Sequence, residues 1–249
     1  MGTTISADGR TVYVAYAADT KGGNLIGGLA AVDAANGAIK WHVGFGNTKG
    51  AQSPPLESAD GSTIYQSILG CSILAINAKD GTTKWRYGIC VGETPTLSLD
   101  GRTLFFGKEA QSQWTTDPQR GVLALNTDDG SVKWHFLSER EGAFGVLGYF
   151  SYAYTPALSL DGRVLYLTST LPDTNSQGEG RFSALNAENG TLLPFAASTT
   201  ASTSNTAPAL SLDGKTAYVA DSQSKVHALD TCDSYGLEQP TRPACCCCC

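Results

Sequence analysis

The sequence is poor in charged residues, and basic residues are the scarcer kind. Charged side chains make up 16% of the 249 residues, against roughly 25% in an average soluble domain. The 17 Lys and Arg residues are outnumbered by 23 Asp and Glu residues, which gives a net charge of -6. Because a surface that neutralises phosphates needs clustered positive charge, this balance argues against nucleic acid as a partner.

Long apolar segments are missing as well. No stretch approaches the roughly 18 apolar residues that a membrane-spanning helix needs, so the sequence predicts no transmembrane segment. The residues after Met1 lack the basic and apolar regions of a signal peptide. We therefore expect a soluble chain whose compartment is unknown, because an intracellular location and a start further upstream both fit.

One phrase recurs five times along the chain. In full it reads small residue, Pro, any residue, Leu, Ser, apolar residue, Asp, Gly, and an alternating apolar run follows each copy. Asp-Gly predicts a tight turn, because Gly adopts positive φ easily, and each alternating run predicts a strand. The copies close at Gly9, Gly61, Gly101, Gly162 and Gly214.

A second phrase follows in each repeat: Ala, an apolar residue, Asp or Asn, a turn closed by Gly, then Lys-Trp. Three of the four tryptophans occupy this one position. The fourth repeat has Pro194-Phe195 instead, and the fifth lacks both the closing Gly and the Trp. The complete copies contain Ala31, Gly37 and Trp41, then Ala75, Gly81 and Trp85, then Ala124, Gly130 and Trp134.

Each repeat thus predicts about four short antiparallel strands. A sheet of this size cannot bury both faces alone, so neighbouring sheets must stack against it, and radial stacking of four-stranded sheets is a β-propeller. We predict one all-β propeller domain over residues 1–235, with a disordered, Cys-rich tail at 236–249. The five predicted blades are residues 1–46, 47–90, 91–138, 139–198 and 199–235. The fifth should be incomplete, because its last strand would have to come from the poor strand sequence 234–238.

The second phrase resembles the tryptophan-docking motif of pyrroloquinoline-quinone-like (PQQ-like) repeats. The resemblance spans residues 3–231; it is specific in the first three repeats, partial in the fourth and weak in the fifth. In that family the Trp of the outer strand packs against the neighbouring blade, which implies a structural role for Trp41, Trp85 and Trp134. The family includes quinoprotein alcohol dehydrogenases, an outer-membrane assembly factor and propeller modules of acyl-activating enzymes.

Quinone and calcium are the cofactors that this resemblance implies. The dehydrogenases carry adjacent cysteines over the quinone, whereas Cys71, Cys90 and Cys232 are isolated here. Asp173, Asn175 and Gln177 resemble the first half of a calcium loop, but its twelfth position falls on an alanine, which cannot bind the ion. We therefore expect neither PQQ nor calcium, and these three residues remain weak metal candidates.

Cys71 and Cys90 flank one predicted hairpin. If Ile76 lies opposite Trp85, the two cysteines also lie opposite each other, within the range that a disulfide requires. A bulge would shift the register by one residue and place the side chains on opposite faces, and a reducing compartment would leave two free thiols. The five consecutive cysteines at 245–249 have neither metal-site spacing nor a prenylation ending, so we interpret them as a low-complexity terminus.

Insertions are the best sequence indication of function. The repeats exceed their shortest form at residues 16–28, 108–120, 138–152 and 170–181, and insertions in repeat folds often lie on one binding face. We expect a scaffold or recognition module, leaning towards a non-enzyme, that binds a protein or a small ligand through that face. The alternative is a fragment or accessory domain of a quinoprotein oxidoreductase or of a larger enzyme.

Overall fold

The chain folds into five antiparallel β-sheets that follow one another along the sequence. The computed structural model describes residues 2–19, 25–46, 50–51, 53–68, 72–89, 94–108, 120–138, 155–170, 180–199 and 207–231. Among these residues there is no helix that is long and apolar enough to cross a membrane. Each sheet is a meander whose strands pair with their sequence neighbours.

The strands are short, as the Gly-rich turns between them require. Sheet 1 contains β1 (Gly2–Ile5), β2 (Thr11–Asp19), β3 (Leu25–Asp33) and β4 (Ile39–Gly44). Sheet 2 contains β5 (Leu56–Glu57), β6 (Thr63–Ile68), β7 (Ser72–Asn77) and β8 (Thr83–Tyr87). Sheet 3 contains β9 (Thr96–Leu97), β10 (Thr103–Lys108), β11 (Arg120–Asn126) and β12 (Val132–Ser138). Sheet 4 contains β13 (Ala157–Leu158), β14 (Val164–Thr170), β15 (Gly180–Asn186) and β16 (Leu192–Thr199); sheet 5 contains β17 (Ala209–Leu210), β18 (Thr216–Ala220) and β19 (Val226–Asp230).

The hydrophobic core is divided into four clusters, and each cluster lies between two consecutive sheets. Alternate residues of one strand therefore belong to different clusters, as Ile64 packs towards sheet 1 and Tyr65 towards sheet 3. Because both of its faces are covered, β6 is buried at every position. No core cluster among the described residues joins sheet 5 to sheet 1.

The two end sheets consequently bury one face each. In β18 the buried residues Ala217 and Val219 alternate with Tyr218, which is 43% exposed. In β2, Tyr13 and Ala15 are buried, whereas Val14 between them is half-buried. Within the described residues, sheets 1 and 5 therefore share no buried apolar cluster.

The prediction of an all-β fold with about five blades is confirmed. Sheet 5 has three strands within the described residues. The segment 234–238, from which its fourth strand was expected, lies outside them, as does the tail 236–249. Whether that blade is completed there stays a prediction.

Candidate functional site

Each Trp of the Lys-Trp phrase docks on the next sheet along the chain. The indole Nε1 donates a hydrogen bond to a backbone carbonyl in the turn that joins the third and fourth strands of that sheet. Trp41 bonds to Ala78 O at 2.9 Å, Trp85 to Thr127 O at 2.8 Å and Trp134 to Ala187 O at 3.1 Å. The three tryptophans are at most 9% exposed, so each indole finds its partner where water is excluded.

The glycine that closes the same turn lies directly under the indole. A Cβ added to Gly81 would lie 2.7 Å from Trp41 Cε3, and one added to Gly190 would lie 2.5 Å from Trp134 Cε3. Gly130 meets Trp85 in the same way, at 2.7 Å. These glycines have φ between 72° and 78°, so the turn geometry and the close approach both require the absence of a side chain. We call each pair of turn carbonyl and closing glycine an indole receptor.

Within its own sheet, each Trp is opposite an alanine of the third strand and beside an aromatic ring of the second. Ala31, Ala75 and Ala124 are fully buried partners of Trp41, Trp85 and Trp134. The rings of Tyr13, Tyr65 and Phe105 lie 5.8–6.0 Å from the respective indoles. The small alanine leaves space for the indole to reach the next sheet.

A β-bulge places the Lys and the Trp of the repeated phrase on the same face of the fourth strand. Trp41 pairs with Ala31 but Ile39 pairs with Val32, so Lys40 is an extra residue in β4. The same shift occurs at the equivalent places of sheets 2 and 3. Neighbouring side chains in a regular strand point to opposite faces, whereas a bulge lets both Lys40 and Trp41 lie on the face towards the next sheet.

Each bulge lysine bonds to the threonine that begins the second strand. The Nζ–Oγ1 distances are 2.9 Å for Lys40 and Thr11, 2.6 Å for Lys84 and Thr63, and 3.3 Å for Lys133 and Thr103. In sheet 4 the equivalent positions hold Val164 and Leu193, and both belong to one apolar cluster. The Lys–Thr pair of sheets 1 to 3 is therefore replaced in sheet 4 by an apolar pair, with both residues changed together. The pair was not predicted from the sequence, although the joint change from Thr and Lys to Val164 and Leu193 is visible in the repeats.

The Thr63–Lys84 pair provides a test of that coupling. We expect Thr63→Val and Lys84→Leu each to reduce the free energy of unfolding by roughly 0.5–1.5 kcal/mol, since each leaves one partner unmatched. The double variant, which copies the pair of sheet 4, should cost less than the sum, because removing both partners is nearly neutral. Urea midpoints of the four proteins measure this, and strictly additive losses would contradict it.

The Ser-x-Asp-Gly turns are the second repeated polar feature. In sheet 2, Ser58 Oγ donates to Asp60 Oδ1 at 2.6 Å and accepts from the Thr63 amide at 2.9 Å. Asp60 Oδ1 also accepts from the Ser62 amide at 3.0 Å, and Gly61 has a φ of 69°. All five sheets repeat the Ser–Asp bond at 2.6–2.7 Å. Each turn therefore uses its Asp carboxyl group as the acceptor of the Ser hydroxyl.

Acid should weaken the Ser-x-Asp-Gly turn of sheet 2. The Ser58 hydroxyl, with the Ser62 amide and hydroxyl, lowers the pKa of Asp60 from 3.8 to about 2. Because the pKa in the folded state is depressed, the stabilisation is fully present above about pH 4 and is lost as the pH falls towards 2. We expect urea midpoints to decrease over that window. Ser58→Ala, which removes the first of these donors, should flatten the decrease, and an unchanged acid slope would contradict this cause.

The strand ends that flank the four insertions lie at one edge of the sheets. Insertions 16–28, 108–120 and 170–181 join a second strand to a third, and 138–152 follows a fourth strand. In antiparallel meanders these connections share one edge, whereas the Ser-x-Asp-Gly turns and the indole receptors lie at the other. We call them the insertion edge and the turn edge. Two clefts of about 620 and 630 Å³, between sheets 3 and 4 and between sheets 1 and 2, lie among residues of the turn edge.

Close backbone packing and buried polar groups mark the described part of the insertion edge. A Cβ on Gly27 would lie 2.1 Å from Gly50 Cα, so the chain leaving sheet 1 packs directly on β3. The fully buried Gln66 donates through Nε2 to Ser53 O and Ser67 O, both at 2.9 Å. Its Oε1 has no donor among the described residues. The Gln66 amide group thus bonds to the backbone of the protein itself.

The weak metal candidates Asp173, Asn175 and Gln177 lie outside the described residues. Within the described residues there is no group of three or more His, Cys, Asp and Glu side chains placed to hold a metal ion. Asp221 and His227 form an acid–base pair whose Oδ2 and Nε2 are 2.8 Å apart. Asp221 Oδ1 accepts from the Gln223 and Lys225 amides, so this pair holds the β18–β19 turn.

Cys71 and Cys90 also lie outside the described residues, but the register assumed for their disulfide is wrong. Trp85 pairs with Ala75 rather than with Ile76, and Ile76 pairs with Thr83. The bulge at Lys84 causes this shift of one residue, which is the alternative that would separate the two side chains.

Comparison with known proteins supports the β-propeller fold and identifies the family. The family profile described as outer membrane protein assembly factor BamB matches residues 26–205. BamB from Moraxella catarrhalis is 20% identical, with a TM-score of 0.51 over 92% of this chain and 73% of that chain. The β-propeller domain of Cps50 (Swd1) from Myceliophteria thermophila is 11% identical, with a TM-score of 0.60 over 88% of this chain and 61% of that chain.

At these identities the two structures establish the fold alone. The chain spans less than two thirds of the Swd1 domain. Comparison with curated protein sequences gives no significant match. The profile match covers more than half of the chain and includes all three Lys-Trp phrases. The chain therefore belongs to the PQQ-like repeat β-propeller family of the outer membrane protein assembly factor BamB.

Proposed function

We propose that the chain is a non-enzymatic recognition scaffold that binds a protein partner through its insertion edge. The observation that carries this proposal is the shared edge of the four insertions. A rigid row of sheets presents connections of variable length at one side, which is how repeat folds build binding surfaces. The family supports the same role, because its profile is named for a factor in outer membrane protein assembly.

The turn edge is less suitable as the surface that binds this partner. Its Asp side chains bond their own turn, its lysines bond threonines of the same sheet, and its carbonyls receive the indoles. These groups are used in holding the blades together. A partner at the insertion edge leaves all of these contacts intact.

Site-specific photo-cross-linking tests the choice of edge. Gly88 is exposed just after β8 and lies at the insertion edge, whereas Ala59 is exposed in a Ser-x-Asp-Gly turn at the opposite edge. A photoreactive phenylalanine derivative at either position leaves the core unchanged. We expect discrete protein adducts from position 88 in the cells that produce the protein and none from position 59. Adducts only from position 59 would contradict the proposal.

The proposal includes no quinone and no calcium. We expect that the purified protein neither retains nor binds PQQ, as measured by absorbance after equilibrium dialysis with PQQ and Ca²⁺. Stoichiometric retention of PQQ would favour the alternative, an accessory part of a quinoprotein oxidoreductase.

A further inference from the structure

The cleft of about 630 Å³ between sheets 1 and 2 has a carboxylate beside the glycine that closes the Ser-x-Asp-Gly turn of sheet 2. In sheets 3 and 4 the variable residue of this turn is a leucine that lies on the closing glycine of the next sheet, as Leu99 Cδ1 lies 3.0 Å from the Cβ position of Gly162. Sheet 1 has Ala7 instead, and the only described atom within 4 Å of the Cβ position of Gly61 is Glu57 Oε1, at 3.7 Å. The cleft volume lies in the range of small-molecule sites, roughly 300–1,000 Å³.

Glu57 is the residue that distinguishes sheet 2 at this position. The strand register places it opposite Ile64, and the equivalent residues of the other four sheets are apolar: Ile5, Leu97, Leu158 and Leu210. Glu57 Oε2 accepts a hydrogen bond from the Ala7 amide at 2.7 Å, which holds the carboxylate across the junction of the two sheets. Glu57 Oε1 accepts no hydrogen bond from a described residue. One carboxylate oxygen in the cleft is therefore left for a donor from outside the chain.

Tyr13 adds a buried hydroxyl group to the same cleft. The residue is 3% exposed and lines the cleft, and no described residue forms a hydrogen bond with its hydroxyl. In sheet 2 the equivalent Tyr65 has the Thr127 side chain as a hydrogen-bond partner. The counterpart of Thr127 beside Tyr13 is Ala78, which has no hydroxyl. A buried polar group without a partner is costly, so the Tyr13 hydroxyl also requires a partner from outside the chain.

The charge around the Tyr13 hydroxyl is negative. Burial, followed by the charges of Glu57 and Asp8, raises the pKa of Tyr13 to about 12, which shows that both carboxylates act on this hydroxyl. Asp8 uses its Oδ1 in its own turn, and its Oδ2 accepts no hydrogen bond from a described residue. Lys84 Nζ is bonded to Thr63 Oγ1 at 2.6 Å. Carboxylates outnumber ammonium groups by three to two among the residues that line the cleft, which are Asp8, Glu57, Asp60, Lys79 and Lys84.

We propose that this cleft binds a small organic amine, whose ammonium group donates hydrogen bonds to Glu57 Oε1 and to the Tyr13 hydroxyl oxygen. An ammonium ion supplies the donors that both oxygens lack, and its bond to the carboxylate is strengthened by the opposite charges. Asp8 adds attraction without direct contact. The body of the amine lies along Ala7 and Gly61, where small residues leave space. The site is on the turn edge, so it does not depend on a protein partner at the insertion edge.

Titration of the ¹⁵N-labelled protein with n-butylammonium chloride, followed by NMR, tests this site. We expect saturable shifts of the Ala7 and Gly61 amide signals, with a dissociation constant of about 1 mM or lower. The matched ligand is 1-butanol, which has the same body without the charge and should bind about tenfold more weakly or not at all. Equal affinities for the two ligands, or the same shifts with sodium chloride alone, would overturn the proposal.

Variants that copy other sheets assign the two contacts. Glu57→Leu introduces the residue of sheets 3 to 5 and should weaken butylammonium binding about tenfold or more. Tyr13→Phe introduces the residue of sheet 3, Phe105, and should weaken it about threefold to tenfold. Glu57→Gln keeps the size of the side chain and should also weaken binding, which covers a failure of Glu57→Leu to fold. The matched control is Glu188→Gln in the cleft between sheets 3 and 4, which removes the same charge and should leave the affinity unchanged. Unchanged affinity in both Glu57 variants, or an equal loss in Glu188→Gln, would overturn the proposal.

Two further titrations test other occupants. Calcium chloride that displaces butylammonium at equal ionic strength would show that the carboxylates form a metal site. An acetylated, amidated Gly-Lys-Gly peptide that binds about tenfold more tightly than butylammonium would show that the site takes a lysine side chain of a protein. Either result would overturn the assignment to a free amine.

Discussion

Replacing Trp85 with Ala is expected to cost about 3–5 kcal/mol of unfolding free energy, the range for deleting a large buried aromatic side chain. The indole is 9% exposed, lies 6.0 Å from the Tyr65 ring and covers Gly130. Its loss opens a cavity between sheets 2 and 3. It also leaves the carbonyl of Thr127, a buried residue, without its donor, which adds to the cost.

Denaturant midpoints of three further variants separate these contributions. Trp85→Phe retains most of the ring but not the N–H, so its loss should be smaller. Tyr218→Ala removes an aromatic ring that is 43% exposed, and Trp114→Ala changes a Trp outside the repeated phrase; both should cost far less than Trp85→Ala. Equal losses for Trp85→Ala and Trp114→Ala would show that the repeat assignment is wrong.

Gly190→Ala is expected to destabilise the protein more than Gly37→Ala. Both residues close the same turn, with φ of 72° and 76°, so both substitutions carry the cost of a left-handed conformation, about 1–2 kcal/mol. At Gly190 the new methyl group would also lie 2.5 Å from Trp134 Cε3, whereas at Gly37 it meets open space. The forced displacement of the indole should add about 1–3 kcal/mol.

Because both glycines have nearly the same φ, the difference between the two losses of stability measures the contact with the indole alone. Urea unfolding of both variants gives the difference directly. Similar losses at the two positions would mean that the indole moves aside at little cost, and the receptor would then contribute little to the joining of sheets 3 and 4.

Sequence patterns predicted the strands, the turns and the family because those features are local and repeated five times. Asp-Gly turns and alternating apolar runs depend on residues within a few positions of one another. The register of the third and fourth strands could not be predicted in this way. The bulge at Lys84 adds one residue to β8, and sheet 4 has a register shift at the same place although Leu193 replaces the lysine there, so a hairpin pattern carries no sign of it.

The different surroundings of Gly37 and Gly81 were equally invisible in the sequence. Both glycines belong to complete copies of the phrase, yet Gly37 is exposed whereas Gly81 is buried under Trp41. The missing Trp of the fourth repeat was visible, but its compensation was not. Phe182, on the third strand, stacks on Tyr166 with ring centroids 5.5 Å apart, which supplies an aromatic pair from a different strand.

Because the core is divided into four separate clusters, each sheet is stabilised only by the sheets next to it. In a linear array each unit is stabilised only by the units that it touches, so unfolding starts at the ends and spreads inwards. Sheet 5 is held by one cluster and by no docked tryptophan from sheet 4. Its amide protons should therefore exchange through a local opening long before those of sheet 3, which is covered on both faces.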